Sequence, residues 1–308
     1  MLNGFSEKFA RWISRYLPDA FVIAVLMTII VFVLGFFSTP DHPAELIRSY
    51  GDGFWVYLAF TMQMVLLLMT GMVLASVPFI RRGLEALSAR ANTANKAYVY
   101  TFLISAAAYY INWGLAVVVG AIVAREVGKL NKNAHFPLLV ACAYAPTALY
   151  TAGLSSSIGL TVATPGHFLE EQIGIISTSE TIFHSGTVII FLALLLTMPI
   201  IILLMSPKNN IVSYKPLNQI NDSSENLTEK QEENTPATIL ENTKILGILI
   251  GLIGLIYAIM NFYDNRDLNL NLINICFLSL GLLFHGSLIQ YGNAFKEANT
   301  PNFDYLWN

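Results

Sequence analysis

Seven long apolar runs leave this chain little choice of solvent. They cover residues 20–37, 54–77, 98–123, 136–163, 187–205, 245–262 and 270–290. A helix crosses a bilayer with roughly 20 mainly apolar residues, and each run approaches or exceeds that length. No Asp, Glu, Lys or Arg lies deep in any of them. Charged residues make up only 12% of the 308-residue chain, about half of what a soluble domain carries. The expectation is an all-α polytopic membrane protein. The net charge of −3 offers no basic surface for nucleic acid. Cys142 and Cys276 sit singly in apolar runs, so they form neither a disulfide framework nor a metal site.

The first run is too long for a signal peptide and Gly35-Phe36-Phe37-Ser38 offers no cleavage site. It reads as a retained first span. Residues 5–16 set Phe5, Phe9, Trp12, Ile13 and Tyr16 against Lys8, Arg11 and Arg15. That pattern suits either a short interfacial helix or a frayed basic terminus.

Basic residues collect on the cytoplasmic side of short loops. Residues 1–19 carry Lys8, Arg11 and Arg15; the loop 38–53 carries only Arg48; residues 78–97 carry Arg81, Arg82, Arg90 and Lys96. The N-terminus is therefore expected inside, with a simple pair of spans after it. The run 98–123 breaks the alternation, because Arg125, Lys129 and Lys132 come after it. Both of its flanks are basic. One crossing, about 39 Å if the 26 residues were a straight helix, cannot place both inside. Asn112-Trp113-Gly114 marks its middle. Folding there makes a re-entrant helical hairpin whose arms reach roughly 20 Å, near mid-bilayer. Irregular backbone at that depth is tolerated inside protein or beside a cavity. With the hairpin in place, fifteen of the 17 Lys and Arg lie inside. The expected architecture is six spans plus the hairpin, with residues 206–244 as a cytoplasmic linker and 291–308 as a tail. The stretch 209–241, rich in Asn, Ser, Glu, Thr and Lys, cannot build a core.

A second interruption falls in 136–163, where Pro146 precedes Gly153-Leu154-Ser155-Ser156-Ser157-Ile158-Gly159. Proline removes a helical donor, and the glycines and serines loosen the next turns of the helix. Broken helices at mid-depth present free N–H groups to anionic substrates and carbonyls or hydroxyls to cations. Hairpin tip and broken helix together suggest a carboxylate-plus-ion site. Asn112, Trp113, Gly114, Ser155, Ser156, Ser157 and Gln63 are the substrate-binding residues of this reading, and Asn112, Gly153, Ser155 and Thr164 the ion-binding ones. Competing roles are a simple proline kink, small-residue packing for the serines, an interhelical hydrogen bond for Gln63, and a plain turn at Thr164-Pro165-Gly166-His167. No carboxylate relay stands in the spans, so coupling would use Na⁺, or a proton carried on the substrate. No enzyme signature is present: the five histidines are scattered, and Ser157 replaces the last glycine that a nucleophile elbow beginning at Gly153 requires.

Leu17-Pro18-Asp19, Tyr50-Gly51-Asp52-Gly53-Phe54-Trp55, Leu58-Ala59-Phe60 with Met62-Gln63-Met64, Ile111-Asn112-Trp113-Gly114, Pro137-Leu138-Leu139 with Ala141-Cys142-Ala143-Tyr144, and Ala163-Thr164-Pro165-Gly166 resemble the bacterial short-chain fatty acid transporter family. The resemblance runs from about residue 5 to about 297. It implies secondary transport of small monocarboxylates such as acetate, acetoacetate and butyrate across the bacterial inner membrane, by elevator or rocking-type alternating access. It also implies a fold of two inverted repeats, of which this chain holds the first and the start of the second. Members are longer, and residues 300–308 do not resemble their continuation. The expectation is a C-terminally truncated member. It would act alone, as a homo-oligomer, or with a separately encoded C-terminal half; a non-transporting fragment and a membrane acyltransferase are the rival readings.

Overall fold

A computed structural model describes residues 16, 18–38, 43–207, 211–215, 240–265 and 267–299. Among these, all regular structure is helical. Most of the N-terminal stretch 5–16 expected as an interfacial helix or a frayed terminus, most of the linker, and residues 300–308 lie outside the described residues. The chain divides into two units, Met1–Thr61 and Met62–Asn308.

In the first unit, Asp19 accepts the Phe21 N–H (2.8 Å) and starts α1, Ala20–Ser38. Most of its apolar side chains are exposed, as a lipid-facing span requires. The stretch expected as a loop instead folds into α2, Pro43–Val56. Pro43 is preset for a first helical turn and Glu45 sits favourably there. Phe32 and Tyr50 pack edge to face at 5.2 Å. The run 54–77 is not one helix, because α2 ends at Val56 and α3, Leu58–Ala75, begins after a turn at Tyr57. The Tyr57 carbonyl accepts both Thr61 N and Thr61 Oγ1 at 2.8 Å.

In the second unit, the inner half of α3 is buried from Leu67 to Ala75 apart from Leu68. The surface helix α4, Pro78–Ser88, leads to α5, Ala94–Ile111. Thr93 caps α5 by accepting Lys96 N. At Asn112 the backbone turns extended (φ −161°, ψ 126°), and α6, Trp113–Leu130, begins at once. These two helices pack along each other. At the open end of the pair Asn131 Nδ2 donates to Ala91 O (3.3 Å), so both arms begin and end at the same level. The two helices form a helical hairpin that turns at Asn112.

Its depth is set by where the tip lands. Asn112 Nδ2 donates to Leu67 O (2.9 Å), and Leu67 is the tenth of the eighteen residues of α3. The tip therefore stops about halfway along a helix of roughly 27 Å.

The next span runs Phe136–Val162 in pieces: α7, Phe136–Tyr144, then a 3₁₀ segment, Ala145–Ala152, then α8, Ser157–Val162. Pro146 has no N–H, so Cys142 O loses its helical donor and the coil tightens. A short α9, Glu170–Ile173, precedes α10, Ser185–Met205. Residues 211–215 then return to the base of the hairpin. Phe136 N donates to Val212 O (2.8 Å), Val212 N donates to His135 Nδ1 (3.0 Å), and Ser213 Oγ donates to Lys132 O (2.6 Å). Burial holds the His135 pKa below its ordinary value, which favours the neutral ring that this acceptor role needs.

Last come α11, Lys244–Asn265, α12, Leu270–His285, and α13, Leu288–Asn299. The first two pack antiparallel and close, since a Cβ on Gly251 would lie 2.9 Å from Ser279 O. The run 270–290 stops early because Gly286 adopts φ +84°, a left-handed conformation that ends a helix. Among the described residues five helical segments are long and apolar enough to cross a membrane, and the 16-residue α12 is a shorter apolar helix beside them.

Candidate functional site

The two interruptions meet. A Cβ on Gly153 would lie 2.9 Å from Tyr110 Cα, so the broken span brings its backbone against the last turn of α5, two residues before the hairpin tip. The tip is equally close to α3: a Cβ on Gly114 would lie 2.9 Å from Leu68 Cα, and one on Gly71 2.8 Å from Leu115 N. Only glycine permits three backbone approaches of this kind at one depth. The sequence signals for the site, Asn-Trp-Gly and Gly-Leu-Ser-Ser-Ser, are thus neighbours across some forty residues of chain.

Asn112 is fully buried. Its Oδ1 accepts Leu115 N (3.0 Å) and caps α6, while its Nδ2 holds Leu67 O. Both ends of the carboxamide are therefore engaged in locking the tip. Trp113 is half-buried beside it. In the break, Ser156 Oγ accepts Gly159 N (3.0 Å) and caps α8. Ser157 is half-exposed, and its carbonyl accepts Thr161 Oγ1. Ser155 differs: it is 0% exposed, and its hydroxyl has no hydrogen-bond partner among the described residues. A buried hydroxyl left unpaired is costly, which sets Ser155 apart from Ser156 and Ser157 in the break.

Thr164 and Gln63 both bond to α12. Thr164 lies just beyond α8, donates to Leu160 O (2.6 Å) and accepts Leu270 N (2.9 Å), tying the end of the broken span to α12. The turn after it is formed, with Gly166 at φ +80°. Gln63 Nε2 donates to Asn271 Oδ1 (2.7 Å), and Gln63 O accepts Asn274 Nδ2 (3.0 Å). Gln63 therefore makes an interhelical bond, to two residues that the sequence pattern did not single out. Their signal was available as carboxamides inside an apolar run. Thr101 and Ser105, four residues apart on α5, are also buried with unpartnered hydroxyls among the described residues.

Loop chemistry anchors the opposite end of the unit. Thr178 N and Oγ1 both donate to Asp267. Burial pushes the Asp267 carboxyl up, but hydrogen bonds from Thr178, Ser177 and Leu268 outweigh it and hold the group below the usual carboxylate range. Among the described residues no group of three His, Cys, Asp or Glu side chains could hold a metal ion.

A helical hairpin whose tip stops halfway along α3, beside a broken span and among helices long and apolar enough to cross a bilayer, defines a multi-pass membrane protein. The sequence profile described as short chain fatty acid transporter matches residues 1–302. Two similar proteins, from Escherichia coli (strain K12) and Haemophilus influenzae, bear the name "Putative short-chain fatty acid transporter". Each is 34% identical, over 300 and 306 residues respectively; each alignment covers 97% of this chain and 68% of the relative. No solved structure matches. The chain belongs to the short chain fatty acid transporter family.

Proposed function

We propose that the chain moves short-chain fatty acids, small monocarboxylates such as acetate, acetoacetate and butyrate, across the bacterial inner membrane, coupled to Na⁺ or H⁺, with its N-terminus cytoplasmic. The observation that carries the reading is the seating of the hairpin tip on the broken span, with the unpartnered Ser155 hydroxyl two residues from the contact at Gly153. The roles divide within that site. Ser155 offers a neutral hydroxyl oxygen to a cation. Trp113 and Gln63 receive the carboxyl group of the substrate, and Gly114 lets the tip close on α3. Asn112 and Ser156 hold the two half-helices in place and act through that geometry. The hairpin and the broken span belong to the first of two inverted repeats, the arrangement in which substrate sites form near mid-bilayer.

Uptake of labelled butyrate by cells producing the chain tests this, beside Asn112→Ala and Ser155→Ala with insertion checked by membrane fractionation. Asn112→Ala leaves Leu67 O and Leu115 N without their side-chain partner, a loss of about 1–3 kcal/mol, and uptake should fall at least about tenfold. Ser155→Ala should lower the response to Na⁺ while leaving the protein folded. Uptake in both variants equal to the unmodified chain would remove the site assignment, and no uptake by the unmodified chain would overturn its autonomous transport.

A further inference from the structure

The bond between Gln63 and α12 is one edge of a larger polar cluster. Gln63, Asn271 and Asn274 stand together in apolar helices, one helical turn, about 6 Å, from the Leu67 carbonyl that holds the hairpin tip. Asn274 is 8% exposed, and its Nδ2 is committed to Gln63 O at 3.0 Å. Reversing that carboxamide would set two carbonyl oxygens against each other, so the orientation is determined. Its Oδ1 is left buried with no partner among the described residues. Asn271, three residues earlier on the same face of α12, is exposed, and its Oδ1 is taken by Gln63 Nε2. Whichever way that carboxamide pair is turned, one of the two residues keeps its amide N–H groups for a ligand.

The cluster thus offers a buried acceptor and an accessible donor side by side. A carboxylate only accepts hydrogen bonds, and the Asn274 oxygen would repel it. A protonated carboxylic acid has one O–H to donate and one carbonyl to accept with, which matches both groups. We propose that Gln63, Asn271 and Asn274 form a receiving site, one turn from the hairpin tip, for the carboxyl group of a short-chain fatty acid in its neutral, protonated form. The inference rests on the transport reading above and adds to it the protonation state of the cargo. The acid brings its own proton, which explains how coupling proceeds through spans without a carboxylate relay. The remaining ionisable groups on the elements concerned are few. The α3 helix has none; α12 carries Cys276 and His285, the latter at the far end against Ser76. On α11 stand Lys244 beside Gly286, Tyr257, Tyr263 and Asp264; on α13 stand Tyr291, packed against His285, Lys296 and Glu297; and Asp267 is engaged with Thr178.

The test uses the full chain in lipid nanodiscs, with labelled butyrate as probe and unlabelled butyramide as competitor. Butyramide is neutral at every pH and carries both a donor and an acceptor. Above the acid's own pKa, about 4–5, each pH unit lowers its neutral fraction about tenfold. Apparent butyrate affinity should therefore fall about tenfold per unit between roughly pH 5 and 7, while butyramide competes equally at each pH. Asn274→Leu and Asn271→Leu should each weaken both by at least about tenfold. Butyrate binding that is flat with pH, or that depends on Na⁺ and ignores butyramide, would overturn the proposal while leaving the transport reading intact. Butyramide competition that survives in both leucine variants would remove the cluster as the site. If neither compound binds the unmodified chain at any pH, the transport reading fails and the proposal with it. The pH series and the competition by butyramide need no variant, so a misfolded mutant cannot shield the idea.

Discussion

Single side chains in this protein decide where half-helices start. Asn112 and Ser156 each accept a backbone N–H three residues on, at 3.0 Å, and each sits where an apolar run would otherwise continue as one rod. A cap of this kind contributes about 0.5–2 kcal/mol, and burial raises the cost of losing it, because no water replaces the bond. Asp267 does comparable work in the loop before α12. Its carboxylate collects hydrogen bonds from Thr178 and Leu268, and its folded-state pKa lies below the usual range despite burial. A depressed carboxyl pKa contributes stability that is present above the unfolded value, about 3.9, and lost as pH falls through the folded value. The thermal midpoint of the detergent-solubilised chain should therefore drop on acidification below about pH 4. In Asp267→Asn that drop should be smaller, and the midpoint near neutrality lower. An acid response identical in the variant would show that the loop carboxylate is not responsible.

Helices here approach one another to the limit that glycine allows. The hairpin tip can seat on α3 only because Gly114 and Gly71 leave room for Leu68 and Leu115 backbone atoms. Gly114→Val should force the tip off α3 and cost about 1–3 kcal/mol by overpacking, visible as a lower thermal midpoint together with lost butyrate uptake. Gly83 in α4 has nothing within 4 Å of a built Cβ, so Gly83→Ala should be neutral or stabilise by about 0.5–1 kcal/mol. If the two substitutions behaved alike, the close approach would not be what seats the tip. The same scale explains two boundaries that pattern alone misplaced. Tyr57 separates α2 from α3 inside one apolar run, and Gly286 stops α12 five residues short of the expected end.

For the second unit as a whole, the hydrogen bonds sort the loops by level. Asn131 to Ala91, and Ser213 to Lys132, gather one set of loops at the hairpin base. Thr178 to Asp267, and Leu270 to Thr164, gather another at the opposite end. Cysteines placed at Asn92 and Lys132 should accordingly react with an impermeant thiol reagent from one side of the membrane, and one at Ser179 from the other. Labelling of positions 92 and 132 from opposite sides would turn the hairpin into a full crossing and dissolve the site.

The sequence by itself was enough for the helical membrane class and for two places where apolar runs turn or break, at Asn112 and after Pro146. Each of these comes from local chemistry: run length against bilayer thickness, basic flanks, and residues such as Pro146 that cannot continue a helix. What only the tertiary structure decided is which polar atoms remain unspent. Asn112, Ser156 and Ser155 look alike as hydrogen-bonding side chains in an apolar stretch, yet two of them are consumed by capping and one is not. Gln63 lies some two hundred residues from Asn271 and Asn274 in sequence, and the three become one cluster only when α12 is hydrogen-bonded to α3. A hydrogen bond depends on distances of a fraction of an ångström between groups that sequence spacing does not relate, and that is why pairing, and with it the free valences a ligand can use, belongs to the folded molecule.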